Sequence, residues 1–543
     1  MNRALTAEGP AAPSVRRRAL PILGCVLRLT AREQRAWLVG LPVLTGVVTA
    51  LLAPAYSDIY ATEADLRRAV AGAQGSEAQL FLYGSLSPQA GITQIMFWEV
   101  GSLACLVLGV VVVLRAVACS RGEEDLGRGE LLEAAGARAV VRLCAQGTVL
   151  ACECLLVSAA AGVGMLRLKE ADGTAAAAYA GTLALTFLLL SAVSLVIAQV
   201  ATDAAAARTC ALVVLAATFT GSGLSASQGW DWLGWFSPFA LRSRIDPGGD
   251  NSWSPALWAL AALGVLVGAT AVLAARRDLG LGALRIRAPW SALRLRALGP
   301  GTVFTTLVLG QCATWALIIC AVSGMLTAMG ENLVEMVRQG ALSGEGSLGA
   351  FLDGTDPAID YLRYVGALAG ALAAGQTIAL AGRYGADEQS GRLEAVIATG
   401  VRPWRAMLAW WLTAVLAAAV SLGLAALVAG GVGTEYLGTQ PEDAVRLVLG
   451  QWPATVAAGG LSSALCGLAP RARGLAWAPG VVGFGITQLG AVLDLSRRVR
   501  DAAPFVQAGQ VGSLWLLGLG LLGVAAGLAG VRRRDLRPFT AAP

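Results

Sequence analysis

Long apolar runs separated by short charged stretches make up almost the whole chain. A run of about 20 residues is long enough to cross roughly 30 Å of hydrocarbon as a helix. Such runs predict twelve spans: 36–56, 93–116, 139–166, 176–200, 207–226, 254–275, 304–328, 360–382, 405–431, 450–470, 474–493 and 512–531. No stretch between them is long enough for a large soluble domain. The pattern therefore predicts an all-α polytopic membrane protein.

One charged stretch occurs twice, at an offset of 264 residues. The first charged segment (121–138) reads RGEEDLGRGELLEAAGAR, and the second charged segment (385–402) reads GADEQSGRLEAVIATGVR. The positions shared by both segments pair Glu123 with Asp387, Glu124 with Glu388, Gly127 with Gly391, Arg128 with Arg392, and Glu130 with Glu394. We therefore predict two six-span repeats, residues 1–284 and 285–543. A repeat in the same orientation places its pseudo-twofold axis along the membrane normal.

Each charged segment is predicted to form a short helix after a glycine turn, near 121–135 and 385–399. A carboxylate precedes each arginine by four residues, as in Glu124–Arg128 and Glu388–Arg392. That spacing places both charges on one face of a continuous helix. A solvated loop is the simpler interpretation of a single copy. Two copies in the same order favour a docking surface for another protein.

Arginine placement predicts the orientation, because cytoplasmic loops carry an excess of basic residues. Arginines cluster before span one, between the halves and after span twelve. With six spans in each half, both termini and both charged segments are predicted to face the cytoplasm at the cell membrane. Residues 17–36 and 285–303 mix arginine with apolar residues, which is typical of an interfacial helix; a flexible basic linker is the alternative. Residues 225–253 are predicted to form short re-entrant or interfacial helices, and residues 493–509 are the equivalent region of the second half, with the same Pro-Phe pair.

Composition excludes several kinds of chemistry. The chain is 56% hydrophobic and 14% charged, and it contains no histidine and one lysine, Lys169. Lys169 lies in LRLKEA rather than in the GxxxxGK[ST] pattern that binds nucleotide phosphates. We expect no catalytic residues, no metal site, no bound cofactor and no nucleic-acid partner. The cysteines fall mostly in apolar runs, as small buried hydrophobic residues do. No cleavable signal peptide is expected.

Polar residues inside the predicted spans are candidates for lining a cavity or gate, because burying them in a membrane is costly. These candidates are Glu99, Glu153, Arg363 and Gln376. Glu99 and Arg363 occupy matching positions in the two halves, so they are predicted to pair across a cavity. The alternative is that these side chains only hold helices together.

The order E-E-x-x-G-R-x-E-L-L between spans two and three resembles the cytoplasmic coupling region of type-2 ATP-binding-cassette exporter permeases. The full chain resembles the actinobacterial twelve-span permeases of antibiotic and multidrug exporters of this class. The shared features are both charged segments, WFSPF (235–239), APF (503–505) and the RRDL sequences at 276–279 and 533–536. Gly129 and Glu133 depart from the smoother helix expected in the first segment.

This resemblance implies two copies of a separate ATPase subunit, one docked under each half, with ATP and Mg²⁺ bound by that partner. It also implies outward transport of amphipathic or hydrophobic small molecules, antibiotics among them, from the cytoplasm or inner leaflet. A proton-coupled secondary drug transporter is the main alternative, with Glu99 and Glu153 as titrating groups, but it does not explain the repeated segment. A membrane-embedded lipid-modifying enzyme is a weaker alternative, because no cluster of Asp, His or Arg marks one membrane face.

Overall fold

A computed structural model of the chain describes residues 15–60, 62–75, 77–277, 300–338, 356–489, 495–507 and 513–534. Every regular element in these ranges is a helix. The chain divides into two compact units, Met1–Pro289 and Trp290–Pro543. Most of the predicted interfacial helix at 285–303, the DL residues of both RRDL sequences and positions 339–355 lie outside the described residues.

The first unit contains fourteen α-helices among its described residues. They are α1 Val15–Glu33, α2 Arg35–Ile59, α3 Glu63–Gly75, α4 Glu77–Tyr83, α5 Ile92–Met96, α6 Ser102–Val117, α7 Glu123–Asp125, α8 Arg128–Ala134, α9 Ala139–Met165, α10 Gly173–Val200, α11 Ala204–Ser227, α12 Asp231–Gly234, α13 Leu241–Ile245 and α14 Ser254–Arg276. Two π-helical turns, Phe97–Gly101 and Ala118–Gly122, join α5, α6 and α7 into one long helix. Such turns are rare and frequently lie at functional sites.

The second unit contains eleven α-helices among its described residues. They are α15 Pro300–Arg338, α16 Pro357–Ala381, α17 Arg383–Gln389, α18 Arg392–Ala398, α19 Pro403–Tyr436, α20 Pro441–Val448, α21 Trp452–Leu468, α22 Trp477–Leu489, α23 Arg497–Asp501, α24 Pro504–Gln507 and α25 Leu514–Arg533. Prolines at the first helical turns of α16, α19, α20 and α21 leave no intrahelical hydrogen bond unmade.

Ten described helices are long and apolar enough to cross a membrane. They coincide with ten of the twelve predicted spans, so the chain is a polytopic α-helical membrane protein. The other two predicted spans, 450–470 and 474–493, coincide with α21 and α22, which have 17 and 13 residues. At 1.5 Å per residue the described part of α22 covers about 20 Å. The 3₁₀ segment Pro470–Ala476 separates the two helices and shortens both.

The segments expected at the membrane surface are helical where they are described. Helix α1 covers most of 17–36, and its Val26 packs against Ala137, just before α9, and against Ala145 within α9. Residues 225–253 form α12, the 3₁₀ turn Pro238–Ala240 and α13. The matching region of the second half forms α23 and α24. Short helices interrupted by proline are therefore observed in both halves.

Close helix packing in the second unit depends on glycine. A Cβ atom added to Gly460 would lie 2.3 Å from the carbonyl oxygen of Gly520, and one added to Gly467 would lie 2.2 Å from that of Gly527. Any side chain at these positions would push α21 away from α25. Small residues allow membrane helices to approach closely, and these glycines provide that contact between α21 and α25.

Candidate functional site

The two charged segments fold in the same way. Gly127 and Gly391 both have φ of 73°, in the left-handed region that favours glycine. A seven-residue helix follows each of them, α8 in the first unit and α18 in the second. A second left-handed glycine, Gly136 or Gly400, then ends each helix. The repeated sequence therefore specifies the same backbone twice.

The predicted (i, i+4) pairing within each segment is wrong. Arg128 binds Glu123 at 2.9 Å, and Arg392 binds Asp387 at 3.1 Å, so each arginine pairs with the first carboxylate instead of the second. The left-handed glycine interrupts the helix between carboxylate and arginine. Because the helical phase is lost there, residues four apart no longer share a face.

The second carboxylate of each segment binds an arginine at the end of its own half. Glu124 accepts hydrogen bonds from both terminal nitrogens of Arg277, one at 2.9 Å. Glu388 accepts the equivalent pair from Arg534, one at 2.7 Å. These two arginines are the second residues of the RRDL sequences at 276–279 and 533–536. The two repeated motifs of each half therefore form one ion pair, which is largely buried.

The same arginines also bind the ends of neighbouring helices. Arg277 donates through Nε to Gln199 at the end of α10, at 2.7 Å. Arg534 donates to the carbonyl oxygens of Cys466 and Gly467 at the end of α21, at 3.1 and 3.0 Å. The hydrogen bond with Glu388 raises the pKa of Arg534 above its ordinary value. Each charged segment is thus fixed to membrane helices on its inner side.

Arg121 adds a further tie in the first unit. It is buried, donates to Glu124 at 2.9 Å and donates to the carbonyl oxygen of Thr202 at 2.6 Å. Asp125 accepts from the backbone N–H of Ala204 at 2.7 Å. Arg121 corresponds to Gly385 in the second segment, and Gly385 has no side chain. The first segment is therefore held to the α10–α11 connection by bonds that the second cannot make in the same way.

The outer faces of the two segments differ in chemistry. Leu126 and Leu131 are 56% and 73% exposed in the first segment. The second segment has Ser390 and Ala395 at these positions. Glu130 and Glu394 are exposed in both. The two segments therefore share their inner ion pair but present different outer surfaces, one apolar and one small and polar.

A cavity of about 180 Å³ lies between α1, the first charged segment and α9. Leu29, Glu33, Glu123, Leu131 and Leu143 are among the residues around it. At its edge Arg128 approaches Glu33 of α1 at 3.8 Å. Helix α1 and the first segment thus contact each other through charges while leaving space between their apolar side chains.

The structure gives Glu153 a partner that the sequence analysis missed. Arg115 of α6 donates to both carboxylate oxygens of Glu153 on α9, at 3.2 and 2.9 Å, and both side chains are buried. The guanidinium lies 4.7 Å from the ring centre of Trp37 on α2. At the offset of 264 the pair corresponds to Ala379 and Ala417. Only the first half therefore has this ion pair.

Glu99 and Arg363 each bind a residue of their own half. Glu99 lies in the π-helical turn after α5 and accepts a hydrogen bond from Tyr56 of α2. Arg363 pairs with Asp360 one turn earlier on α16. The predicted pairing between Glu99 and Arg363 stays a prediction. Gln376 is fully buried on α16, and neither of its amide atoms has a hydrogen-bond partner among the described residues.

Two features of the sequence indicated arginines that were not among the predicted site residues. The RRDL repeat marked Arg277 and Arg534, but nothing in the sequence linked them to the charged segments. Arg115 was visible as a charge within an apolar run, as Glu153 was. A charge inside a span needs a counter-charge of opposite sign, and this rule made Arg115 a candidate partner for Glu153.

These features define a membrane protein whose two halves repeat one anchored, charged segment. The family of the C-terminal domain of multidrug efflux system permease Rv1217c matches residues 299–532. The multidrug efflux system permease protein Rv1217c of Mycobacterium tuberculosis (strain ATCC 25618 / H37Rv) is 25% identical over 536 residues. That alignment covers 94% of this chain and 95% of the relative. The similarity thus extends over both halves.

Proposed function

We propose that this chain is the permease subunit of a type-2 ATP-binding-cassette exporter that moves amphipathic or hydrophobic compounds out of the cell. The observation that carries the proposal is the repeated segment with its inner ion pair, Glu124–Arg277 in one half and Glu388–Arg534 in the other. Each segment is bound to membrane helices on one side and exposed on the other. Such an element can transmit the movement of a partner protein to those helices.

The partner in this proposal is an ATPase subunit present in two copies, one under each charged segment. ATP and Mg²⁺ would be held by that partner, since the chain has no phosphate-binding motif. Binding of ATP would bring the two ATPases together and displace α8 and α18. The ion pairs of Arg277 and Arg534 would then carry the movement into α10 and α21, whose ends these arginines bind.

The proposed substrate class follows from the relative, which is named a multidrug efflux permease. Amphipathic drugs, antibiotics among them, would pass through a cavity within the membrane, with Glu99, Glu153, Arg363 and Gln376 as candidate lining or gating residues. The arginine distribution supports a cell-membrane location with both termini and both charged segments in the cytoplasm.

A proton-coupled transporter is the second candidate function, and the observation that favours it is Glu99, a part-buried carboxylate that accepts a hydrogen bond from Tyr56. The two mechanisms differ in their energy source. We would reconstitute the chain with a candidate ATPase subunit and measure ATP hydrolysis with an amphipathic dye such as ethidium. Hydrolysis stimulated by ethidium supports the exporter. Dye export driven by a pH gradient without the ATPase contradicts it.

Replacing Arg128 and Arg392 together with glutamate is expected to abolish export while leaving the fold intact. Both side chains are exposed, at 51% and 66%, and exposed ion pairs contribute only about 0.2–1 kcal/mol to stability. Export would be lost because each introduced glutamate repels the negative charge on the partner that had attracted the arginine. The measurement is co-purification with the ATPase and ethidium-stimulated hydrolysis. The matched control is Arg167→Glu, because Arg167 is also exposed but lies just after the end of α9, away from the charged segment. Normal stimulation in the double variant would place coupling elsewhere.

The exposed leucines predict that the first segment contributes more apolar contact to the ATPase than the second. Changing Leu126→Ser and Leu131→Ala gives the first segment the residues of the second. If the two truncations together remove about 1.4 kcal/mol of interface energy, the affinity falls about tenfold. We expect the dissociation constant of the ATPase to rise by about that factor. Leu166→Ala should leave the dissociation constant unchanged, because Leu166 is also exposed but lies at the end of α9 opposite the charged segment. Equal affinities for wild type and double variant would contradict this asymmetry.

A further inference from the structure

Three arginines follow one another along the exposed side of the N-terminal helix. Arg28 and Arg32 lie on α1, and Arg35 is the first residue of α2. Gln34 between the two helices keeps a backbone hydrogen bond of 3.0 Å to the turn on either side of it, and spacings of four and seven residues share one helix face. All three arginines are exposed, and among the described residues none of them forms an ion pair. This arginine stripe therefore presents three positive charges to its surroundings.

The arginine stripe lies where a membrane span begins. Arg35 is the first residue of the candidate span Arg35–Ser57, so it lies at the level where the hydrocarbon core meets the lipid headgroups. Leu29, next to Arg28, is also exposed and gives this side of α1 an apolar residue beside its charges. The anions at this depth are lipid phosphate groups. Guanidinium groups bind phosphate through paired, charge-assisted hydrogen bonds.

The other side of α1 contacts the first charged segment at both ends of helix α8. At one end Glu33 approaches Arg128, the first residue of α8, at 3.8 Å. At the other end Ile22 lies over Gly136, where an added Cβ atom would be 3.7 Å from the Ile22 Cδ1 atom. The cavity of about 180 Å³ adjoins both elements. Helix α1 is therefore in contact with the segment and has space to move relative to it.

We propose that the arginine stripe binds anionic phospholipids of the cytoplasmic leaflet, and that the bound lipid holds α1 against the first charged segment. Clustered basic residues on a helix at the membrane surface attract anionic lipid headgroups. A phosphatidylglycerol headgroup is favoured over phosphatidylcholine, because no ammonium group in it cancels the phosphate charge.

The lipid site depends only on the stripe and its position. Its consequence for coupling rests on the proposed function: α8 transmits the movement of the ATPase more fully when α1 is held in place, so anionic lipid increases coupling in the first half.

Lipid binding is tested by native mass spectrometry of the full-length protein without an ATPase, which gives the dissociation constant of the first phospholipid bound. We expect wild type to bind phosphatidylglycerol more tightly than phosphatidylcholine. The triple variant Arg28→Gln, Arg32→Gln and Arg35→Gln should bind phosphatidylglycerol at least about fivefold more weakly, since each basic residue near an anionic surface contributes about that factor. Its affinity for phosphatidylcholine should stay unchanged. The three side chains are exposed, so the fold should be retained.

The matched control removes three other exposed arginines, in the variant Arg276→Gln, Arg402→Gln and Arg533→Gln. It changes the net charge by the same amount and should keep the wild-type affinity. Wild-type affinity in the stripe variant, or an equal loss in both variants, would overturn the proposal. Competition by inorganic phosphate with the same strength as lipid would also overturn it, because the site would then bind free phosphate.

The consequence for coupling is tested by ethidium-stimulated ATP hydrolysis with a candidate ATPase, in phosphatidylcholine nanodiscs with and without phosphatidylglycerol. Stimulation should rise with phosphatidylglycerol in wild type and in the control variant, and it should stay at the phosphatidylcholine level in the stripe variant. An equal rise in the stripe variant would overturn the regulatory role of the lipid. If wild type binds phosphatidylglycerol but ethidium stimulates hydrolysis in neither lipid, the exporter proposal fails and the lipid site is still supported.

Discussion

Replacing Arg534 with glutamate is expected to disconnect the second charged segment from the membrane helices and to end coupling to ATP hydrolysis. The substitution places a carboxylate against buried Glu388 and removes the bonds to the last carbonyl groups of α21. Breaking a buried ion pair costs about 3–5 kcal/mol. Because Arg534 keeps some exposure, we expect about 2–4 kcal/mol of destabilisation.

Thermal unfolding in nanodiscs and drug-stimulated ATP hydrolysis measure the two consequences separately. Arg533→Glu is the matched control, because Arg533 is the exposed neighbour on the same helix and forms no ion pair among the described residues. Exchanging both charges, as Glu388→Arg with Arg534→Glu, should recover part of the lost stability. Arg534→Glu behaving like Arg533→Glu would show that this ion pair does not hold the segment.

Removing Glu153 alone is expected to destabilise the first half strongly, whereas removing Glu153 and Arg115 together is expected to cost less. Glu153→Ala leaves the Arg115 guanidinium buried between helices without its carboxylate. An uncompensated buried charge costs about 3–5 kcal/mol, and replacing both partners by apolar residues is often nearly neutral. The second half has apolar residues in place of both partners, with Ala379 and Ala417 at the matching positions.

A double-mutant cycle on Arg115→Ala and Glu153→Ala measures the interaction directly. We expect the double variant to unfold at a higher temperature than either single variant. Arg142→Ala supplies the comparison, because buried Arg142 binds the carbonyl oxygen of Ala137 at 3.0 Å outside the pair. Additive losses in the cycle would show that Arg115 and Glu153 act independently. Loss of export in a double variant of normal stability would instead support the gating role first assigned to Glu153.

The two halves share the ion pair that anchors each segment and differ at two exposed positions of the segment. Glu124–Arg277 and Glu388–Arg534 share one geometry. Leu126 and Leu131 have no apolar equivalent in the second half beyond Ala395. A duplicated protein of this kind can keep the linkage of each segment to the membrane helices while the exposed surface of the segment changes.

The membrane class, ten of the spans and the backbone of both charged segments could be predicted from sequence because local rules control them. A run of about 20 apolar residues spans a membrane whatever its neighbours are. A glycine adopts the left-handed conformation without strain, so Gly127 and Gly391 turn the chain in the same way. Each of these features depends on residues within a few positions of one another.

The partners of the charged side chains were decided only by the tertiary structure. Glu124 binds an arginine 153 positions away and Glu388 one 146 positions away, and no spacing rule spans such distances. The (i, i+4) expectation failed because one left-handed glycine changed the direction of the helix between the charges. The burial of Arg242 depends on α4 and α13 meeting across 160 positions. Which charges meet depends on how the helices pack, and the sequence of any one helix does not contain that information.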